Sequence, residues 1–238
     1  MQKILIIVLG AVLLGTAGIW TYDRLTKEKV SGALSIKKDD AKSLDVDIDF
    51  GAGSFLIEGG AKEWVDGNID TNIKKWYPSV TYKNKRDIGY IKIQQKGTGL
   101  SILRKQRNNW KLQLTNEIPV RLDVEMGVSD SELDLAGIRL SHLSVDAGVG
   151  DTIINLDDDW QESFDVELDL GVGGATIYLP KDIGVELVVD KGVGSIEAKD
   201  FISKGKGIYV NEAYGRSDTT IHVEVDVGVG GVKFLLGN

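Results

Sequence analysis

The chain has 238 residues, a net charge of −8 and 42% apolar residues, which suits one large or two small folded domains and excludes wholesale disorder. Cysteine is absent, which excludes disulfides, thiolate zinc sites, a cysteine nucleophile and a lipid anchor on an N-terminal cysteine. Glycine is plentiful at 29 and proline rare at 3, a balance that points to many tight corners between strands. The charge is uneven. Residues 41–115 carry 13 Lys+Arg against 8 Asp+Glu, a sum of +5, and residues 116–238 carry 9 against 24, a sum of −15. So acidic a second part should repel nucleic acid.

Residues 1–22 open on Lys3 and then run without charge from Ile4 to Tyr22. A helix over Ile4–Trp20 would span roughly 25 Å, close to a bilayer core. Trp20 and Tyr22 fall where an interfacial aromatic belt would lie, and Arg24 and Lys27 follow. The belt favours an uncleaved single-pass anchor. A cleaved signal peptide ending near Gly15-Thr-Ala17 is the competing reading. The positive charges after the span argue for a cytoplasmic body and the signal-like start for an extracytoplasmic one; we expect the latter. Residues 23–43 read as a polar linker.

From residue 44 a pattern recurs. Leu44–Phe50 precedes Gly51-Ala-Gly53, Leu122–Met126 precedes Gly127-Val-Ser129, and Leu143–Ala147 precedes Gly148-Val-Gly150. Phe164–Leu170 precedes Gly171-Val-Gly173, Val185–Asp190 leads to Gly192-Val-Gly194, and Ile221–Val227 precedes Gly228-Val-Gly230. Apolar and polar residues alternate with a period of two, so these are strands with one buried face. The glycines mark corners where a side chain would strike the next layer. Gly127, Gly148, Gly171 and Gly192 are separated by 21, 23 and 21 residues. That step predicts an all-β, single-stranded β-solenoid with one coil per repeat, its corners stacked in register. An antiparallel sandwich is the alternative. An insertion around 201–217 breaks the step before Gly228.

Residues 44–115 are expected to form a basic, aromatic N-terminal β part and residues 116–238 the acidic repetitive part. In the first, Trp76, Tyr77, Lys83, Lys85, Arg86, Arg104, Lys105, Arg107 and Trp110 form a candidate interaction surface for an acidic partner, glycans or lipid headgroups. Solvated charges and core aromatics are the plainer reading.

The run Trp110–Pro119, then Leu122–Val128, Leu133–Ile138 and Leu143–Asp151, resembles the toast-rack domain of LiaF-like envelope-stress proteins and adhesin-like bacterial proteins. Ile221–Gly231 is similar to that domain's closing strands. The resemblance implies a membrane-associated β-solenoid acting by protein contact, with no catalytic residue to carry over. LiaF-like chains have several spans before the domain, whereas this one has a single candidate.

No motif announces catalysis. His142 and His222 lack any metal-binding spacing and read as exposed strand residues. Gly171–Gly174 and Gly228–Gly231 lack the Lys-Ser/Thr of a phosphate loop. Ser129 and Ser141 have no evident base. The acidic rows Asp45/Asp47/Asp49, Asp165/Glu167/Asp169 and Glu224/Asp226, with the cluster Asp157–Asp159, could in principle hold calcium or supply a glycosidase pair. Alternation explains the rows as the wet faces of strands, with some compensating cation nearby. The sequence therefore predicts a non-enzymatic envelope protein without cofactor or metal. What the resemblance implies is a scaffold or regulator acting by contact with another envelope protein, in cell-envelope stress response. Adhesin-like ligand binding is the alternative, and homo-oligomers are compatible with either.

Overall fold

The computed structural model describes residues 30–97 and 106–237. The expected N-terminal helix over residues 1–22, Arg104 and Lys105 lie outside them. Among the described residues no helix is long and apolar enough to cross a membrane. The strands are β1 Val30–Ile36, β2 Ser43–Gly59, β3 Val65–Thr71, β4 Ser79–Lys85, β5 Ile88–Gln94, β6 Asn108–Leu114 and β7 Val120–Asp134. They continue with β8 Leu140–Val149, β9 Thr152–Asn155, β10 Phe164–Leu179, β11 Gly184–Glu197, β12 Ile202–Gly205, β13 Ile208–Val210 and β14 Thr220–Leu236.

Each long strand is a rung with two arms. The first arm of β2 pairs in parallel with β5 and its second arm with β6, while both arms pair in parallel with β7. Beyond β7 come β8 with β9, then β10, β14 and β11, all parallel and with glycine facing glycine. The arms make two sheets that meet at the glycines and enclose the core. Phe50 ends one arm of β2 and Phe55 starts the other, yet their rings stack at 4.9 Å inside the corner, with Trp110 edge-on to Phe50 at 5.1 Å. The open side is closed by turns whose Leu135, Ile138, Leu156, Trp160 and Ile183 are buried. One cluster of buried side chains runs from Leu34 to Phe234, so the basic and acidic parts share a single core.

The rungs do not stack in chain order throughout. The middle, β7 to β10, is sequential, but β14 lies between β10 and β11, and β2 lies between the β5–β6 rung and β7. Both ends therefore correct the simple coil-upon-coil expectation. The reason at the C-terminal end is the insertion. β12 and β13 pair antiparallel with each other, and β13 covers Glu186–Val188 of β11, which makes β11 a terminal rung. The chain then turns back at Asn211 and lays β14 inside. Asn211 is 1% exposed. Its amide donates to the carbonyls of Pro180, Lys181 and Ile183, and its carbonyl oxygen accepts from the backbone N–H of Val185 and of Tyr214.

At the other end β4 caps the first sheet antiparallel to β5. β3 pairs antiparallel with β6 and β1 with β3, capping the second. β1 lies inside the segment expected as a polar linker. Its Leu34 and Ile36 are buried, an alternation too short to stand out beside the flanking charges.

Candidate functional site

The corner comes first, because it fixes what surrounds it. Gly51, Gly127, Gly148, Gly171, Gly228 and Gly192 form one column along the stack, each packed on the backbone carbonyl of the rung before it, with Gly51 packed on the Gln95 side chain. A second column contains Gly53, Gly150, Gly173, Gly230 and Gly194, all at φ between +133° and +158°. A Cβ on Gly173 would be driven into the carbonyl oxygen of Gly150. Ser129 stands in this column between Gly53 and Gly150 and is buried, its hydroxyl 2.8 Å from that of Ser131. The columns end at two side chains that sequence reasoning missed. Gln95 accepts from the Gly51 N–H at 3.1 Å, and the buried Asn108 donates to the Ala52 carbonyl at 2.8 Å and to Gln95 at 2.9 Å. Polar residues outside the repeat gave no signal of that task.

Between the glycine columns stands a ridge of apolar residues, half-buried at Ala52 and exposed at its valines. Ala52, Val128, Val149, Val172, Val229 and Val193 are register neighbours along the outer corner. The five valines are about half-exposed or more, Val193 reaching 71%. At roughly 4.8 Å per rung the ridge runs some 24 Å.

Beside the ridge the outer face of the first sheet is a plate of carboxylates. Its column nearest the corner is Asp49, Glu125, Asp146, Asp169, Asp226 and Asp190. The next contains Asp47, Asp123, Glu167 and Glu224, and the third Asp45, Asp165 and Glu186 with Arg121, His142 and His222. Cations meet this plate at its β5–β7 end. Lys92 pairs with Asp47 at 2.7 Å and Arg121 with Asp123 at 3.2 Å. The hydrogen bond to Asp47 raises the Lys92 pKa, while burial and then the Asp123 charge push Asp45 up. On β8, β10 and β14 the exposed Asp146, Asp165, Glu167, Asp169, Glu224 and Asp226 make no ion pair with Lys or Arg of the described residues. The compensating cations expected from sequence are thus present at one end of the plate and missing from its middle. His222 pairs with Glu186 at 3.0 Å, and Tyr214 donates to the same carboxylate at 2.9 Å.

The basic, aromatic surface is not brought together. Trp76 and Trp110 are 4% and 1% exposed: Trp110 takes an inward position on β6 and fills the end of the core, and Trp76 is buried in the short 3-10 turn of residues 74–76 between β3 and β4. Tyr77 packs its hydroxyl over Gly32. Lys83, Lys85 and Arg86 are exposed on the β4–β5 hairpin, with Tyr90 beside Lys83. Arg107 lies on the second sheet, paired with Asp70 at 3.1 Å.

That second sheet carries a shallow groove of about 570 Å³ across β3, β6, β2, β7 and β9. Asn68, Asp70, Asn109, Lys111, Asp130 and Asp151 line it, with Leu56 and Ile153 as apolar floor. Asp157–Asp159 sit in the turn after β9, where Asp158 accepts from the Gly137 N–H. No group of three His, Asp or Glu able to hold a metal occurs among the described residues.

The model of the family described as the N-terminal domain of toast_rack, DUF2154, matches residues 25–178. A crystallised candidate cell adhesion protein from Clostridium sporogenes is 29% identical with a TM-score of 0.83, over 88% of this chain and 100% of its own. A candidate adhesin from Bacteroides fragilis is 15% identical with a TM-score of 0.31, over 88% of this chain and 99% of its own. A candidate lipid-binding protein from Parabacteroides distasonis is 11% identical with a TM-score of 0.25, over 87% and 97%. No curated protein sequence matches the chain.

Proposed function

The chain belongs to the family of the N-terminal toast_rack domain, and from that premise we propose that it is a non-enzymatic contact module of the bacterial cell envelope that holds a basic partner protein on the outer face of its first sheet. The observation that carries this is the unneutralised middle of the carboxylate plate, Asp146 to Asp226, laid beside the valine ridge. Like charges stacked rung upon rung repel, and that repulsion is relieved when cations are brought to them. An apolar strip rimmed by charge of one sign is the surface a partner of opposite charge covers. In this reading residues 4–22 anchor the module, the body is extracytoplasmic, and the contact serves as scaffold or regulator in envelope stress response.

The test is a pull-down from cross-linked membranes with the wild-type chain and with a combined variant, Glu167→Gln, Asp169→Asn, Glu224→Gln and Asp226→Asn. A basic protein should be captured by the wild type, released at high salt and lost with the variant. Equal capture by both would overturn the assignment to this face. A reporter fused after Asn238 decides on which side of the membrane the body lies.

A second reading, adhesin-like recognition of a glycan, is favoured by the groove on the second sheet and by the likeness to the clostridial cell adhesion protein. Asn68, Asn109, Asp130 and Asp151 form a hydrogen-bonding set of the kind that reads hydroxyl groups. Glycan binding that persists in the plate variant and is lost on Asn109→Ala would select it.

A further inference from the structure

The two sheets end differently, and the difference concerns which strand edges remain open. The first sheet is closed at one end by β4, whose edge carries Lys83 and Lys85. At its other end it is closed by β12, which carries Lys204 and a register shift between Ser203 and Gly205. Lysines and bulges are how sheet edges are kept from pairing with other chains. On the edge strands of the second sheet there is no bulge, β1 carries no lysine and β11 carries one, Lys191, ahead of the open stretch. β13 covers Glu186–Val188 of β11, so Val193–Glu197 pairs with β14 on one side and, among the described residues, with no strand on the other. From Gly192 to Ile196 this edge holds no charge, and Val193 is its most exposed side chain. One edge carbonyl, that of Gly194, accepts from Lys191 at 3.0 Å. At the opposite end of the same sheet β1 pairs, among the described residues, with β3 alone, and Val30–Ile36 again holds no charge.

The geometry points to head-to-tail association of this chain with a second copy, the free edge of β11 in one copy receiving β1 of the next. Three observations carry it. Strand sense agrees: β1 is antiparallel to β3 and β3 to β6, so β1 runs in the direction of the rungs and of β11. Size agrees: Ser31, Gly32 and Ala33 on one edge and Gly192, Gly194 and Ser195 on the other let two backbones approach. Shape agrees in sense: beyond β11 the first sheet projects by two strands, β13 and β12, and the second by none, which leaves a notch. Beyond the β5–β6 rung the second sheet projects by β3 and β1 and the first only by β4. The projecting edge of one end faces the notch of the other, with three short strands of the first sheet (β13, β12 and β4) opposite two of the second, so the stack has to bend at the junction by about one strand spacing. Such a contact uses two different surfaces and so continues from copy to copy, as a ring where the rotation between copies closes and as a filament where it does not. It uses a strand edge rather than the face of the plate, but Val193 also ends the ridge beside that plate, so its readout is the disulfide and not capture of the basic protein.

Because the chain has no cysteine, engineered thiols report this contact without background. Full-length chain carrying Ala33→Cys and full-length chain carrying Ser195→Cys, both outward-facing small residues, are co-expressed with different tags and oxidised in membranes. Ser31→Cys and Ser35→Cys cover the neighbouring registers. The expected result is a disulfide between a β1 cysteine and Cys at 195 in one register, a ladder of oligomers when both are in one chain, and at least a tenfold loss of cross-linking on Val193→Lys with the thermal melt unchanged. Disulfides only between two Ser195→Cys chains would mean like-with-like pairing and overturn the head-to-tail arrangement. No mixed disulfide in any register, or one indifferent to Val193→Lys, would also overturn it.

Discussion

At Gly173 the backbone sits at φ +148° with the Gly150 carbonyl oxygen where a Cβ would be. At Gly215 φ is +74° and nothing lies within 4 Å of that position. Gly215→Ala therefore meets only the left-handed penalty, about 1 kcal/mol. Gly173→Ala meets strain of about 1–3 kcal/mol and a collision with the neighbouring rung besides. Urea denaturation should show the Gly173 variant markedly the less stable; equal midpoints would contradict the column. Asn211→Ala leaves buried backbone groups of the 180–185 turn without partners and should cost roughly 2–3 kcal/mol, read in the same assay. Asp39 shows a different dependence. The Tyr82 hydroxyl beside it, then the Ala41 N–H, Asn84 and Trp64 hold its pKa down at about 2 against burial, from an ordinary 3.8. A carboxylate depressed in the folded state contributes stability above its unfolded pKa and loses it as pH falls through the folded one. The Trp64 indole donates to Asp39 at 3.2 Å, so its fluorescence should titrate near pH 2 and not near pH 4, and Asp39→Asn should remove that step. The glycines could be read from the chain because they repeat. Asn211, Asn108 and Gln95 could not, because one polar residue in a turn looks like any other until the turn is packed.

The strands themselves were legible element by element. Phe164–Leu170 alternates cleanly, and the structure buries Phe164, Val166, Leu168 and Leu170 while exposing Asp165, Glu167 and Asp169. What alternation cannot give is the neighbour of each strand. Glu167 faces Glu224 across the rung boundary and Asp169 faces Asp226, residues 57 apart in the chain. Neutralising these four should raise the melting temperature at low salt, and the gain should shrink at high salt as ions screen the repulsion. A gain that ignores salt would point to packing instead. That Trp110 is no surface residue has the same reason. Trp110 lies on an inward position of β6, and only the pairing of β6 with β2 shows which way inward is.

For the whole molecule the order of the rungs has a measurable consequence. In a stack laid down in chain order, removing the last rung shortens it. Here truncation after Ser217 removes β14 from between β10 and β11 and leaves β11 with no rung beside it. The truncated chain should lose cooperative unfolding, followed by circular dichroism on heating, rather than melt as a slightly less stable version of the full chain. A sharp transition close to the wild-type midpoint would show that the terminal rung is dispensable.

The amino-acid sequence by itself determined the strands, their buried faces and the corners, because period-two alternation and recurrent Gly-Val-Gly are local properties of the chain. It also determined that charge of one sign would gather on the wet faces of residues 116–238. Only the tertiary structure decided which rungs lie side by side, that β1 belongs to a sheet, that Trp110 fills an end, and that among the described residues β1 and the second arm of β11 are edge strands. Those are choices among long-range parallel pairings of closely similar strands. Similar rungs fit one another almost equally well, so the caps and Asn211, rather than the repeat, decide where each one goes.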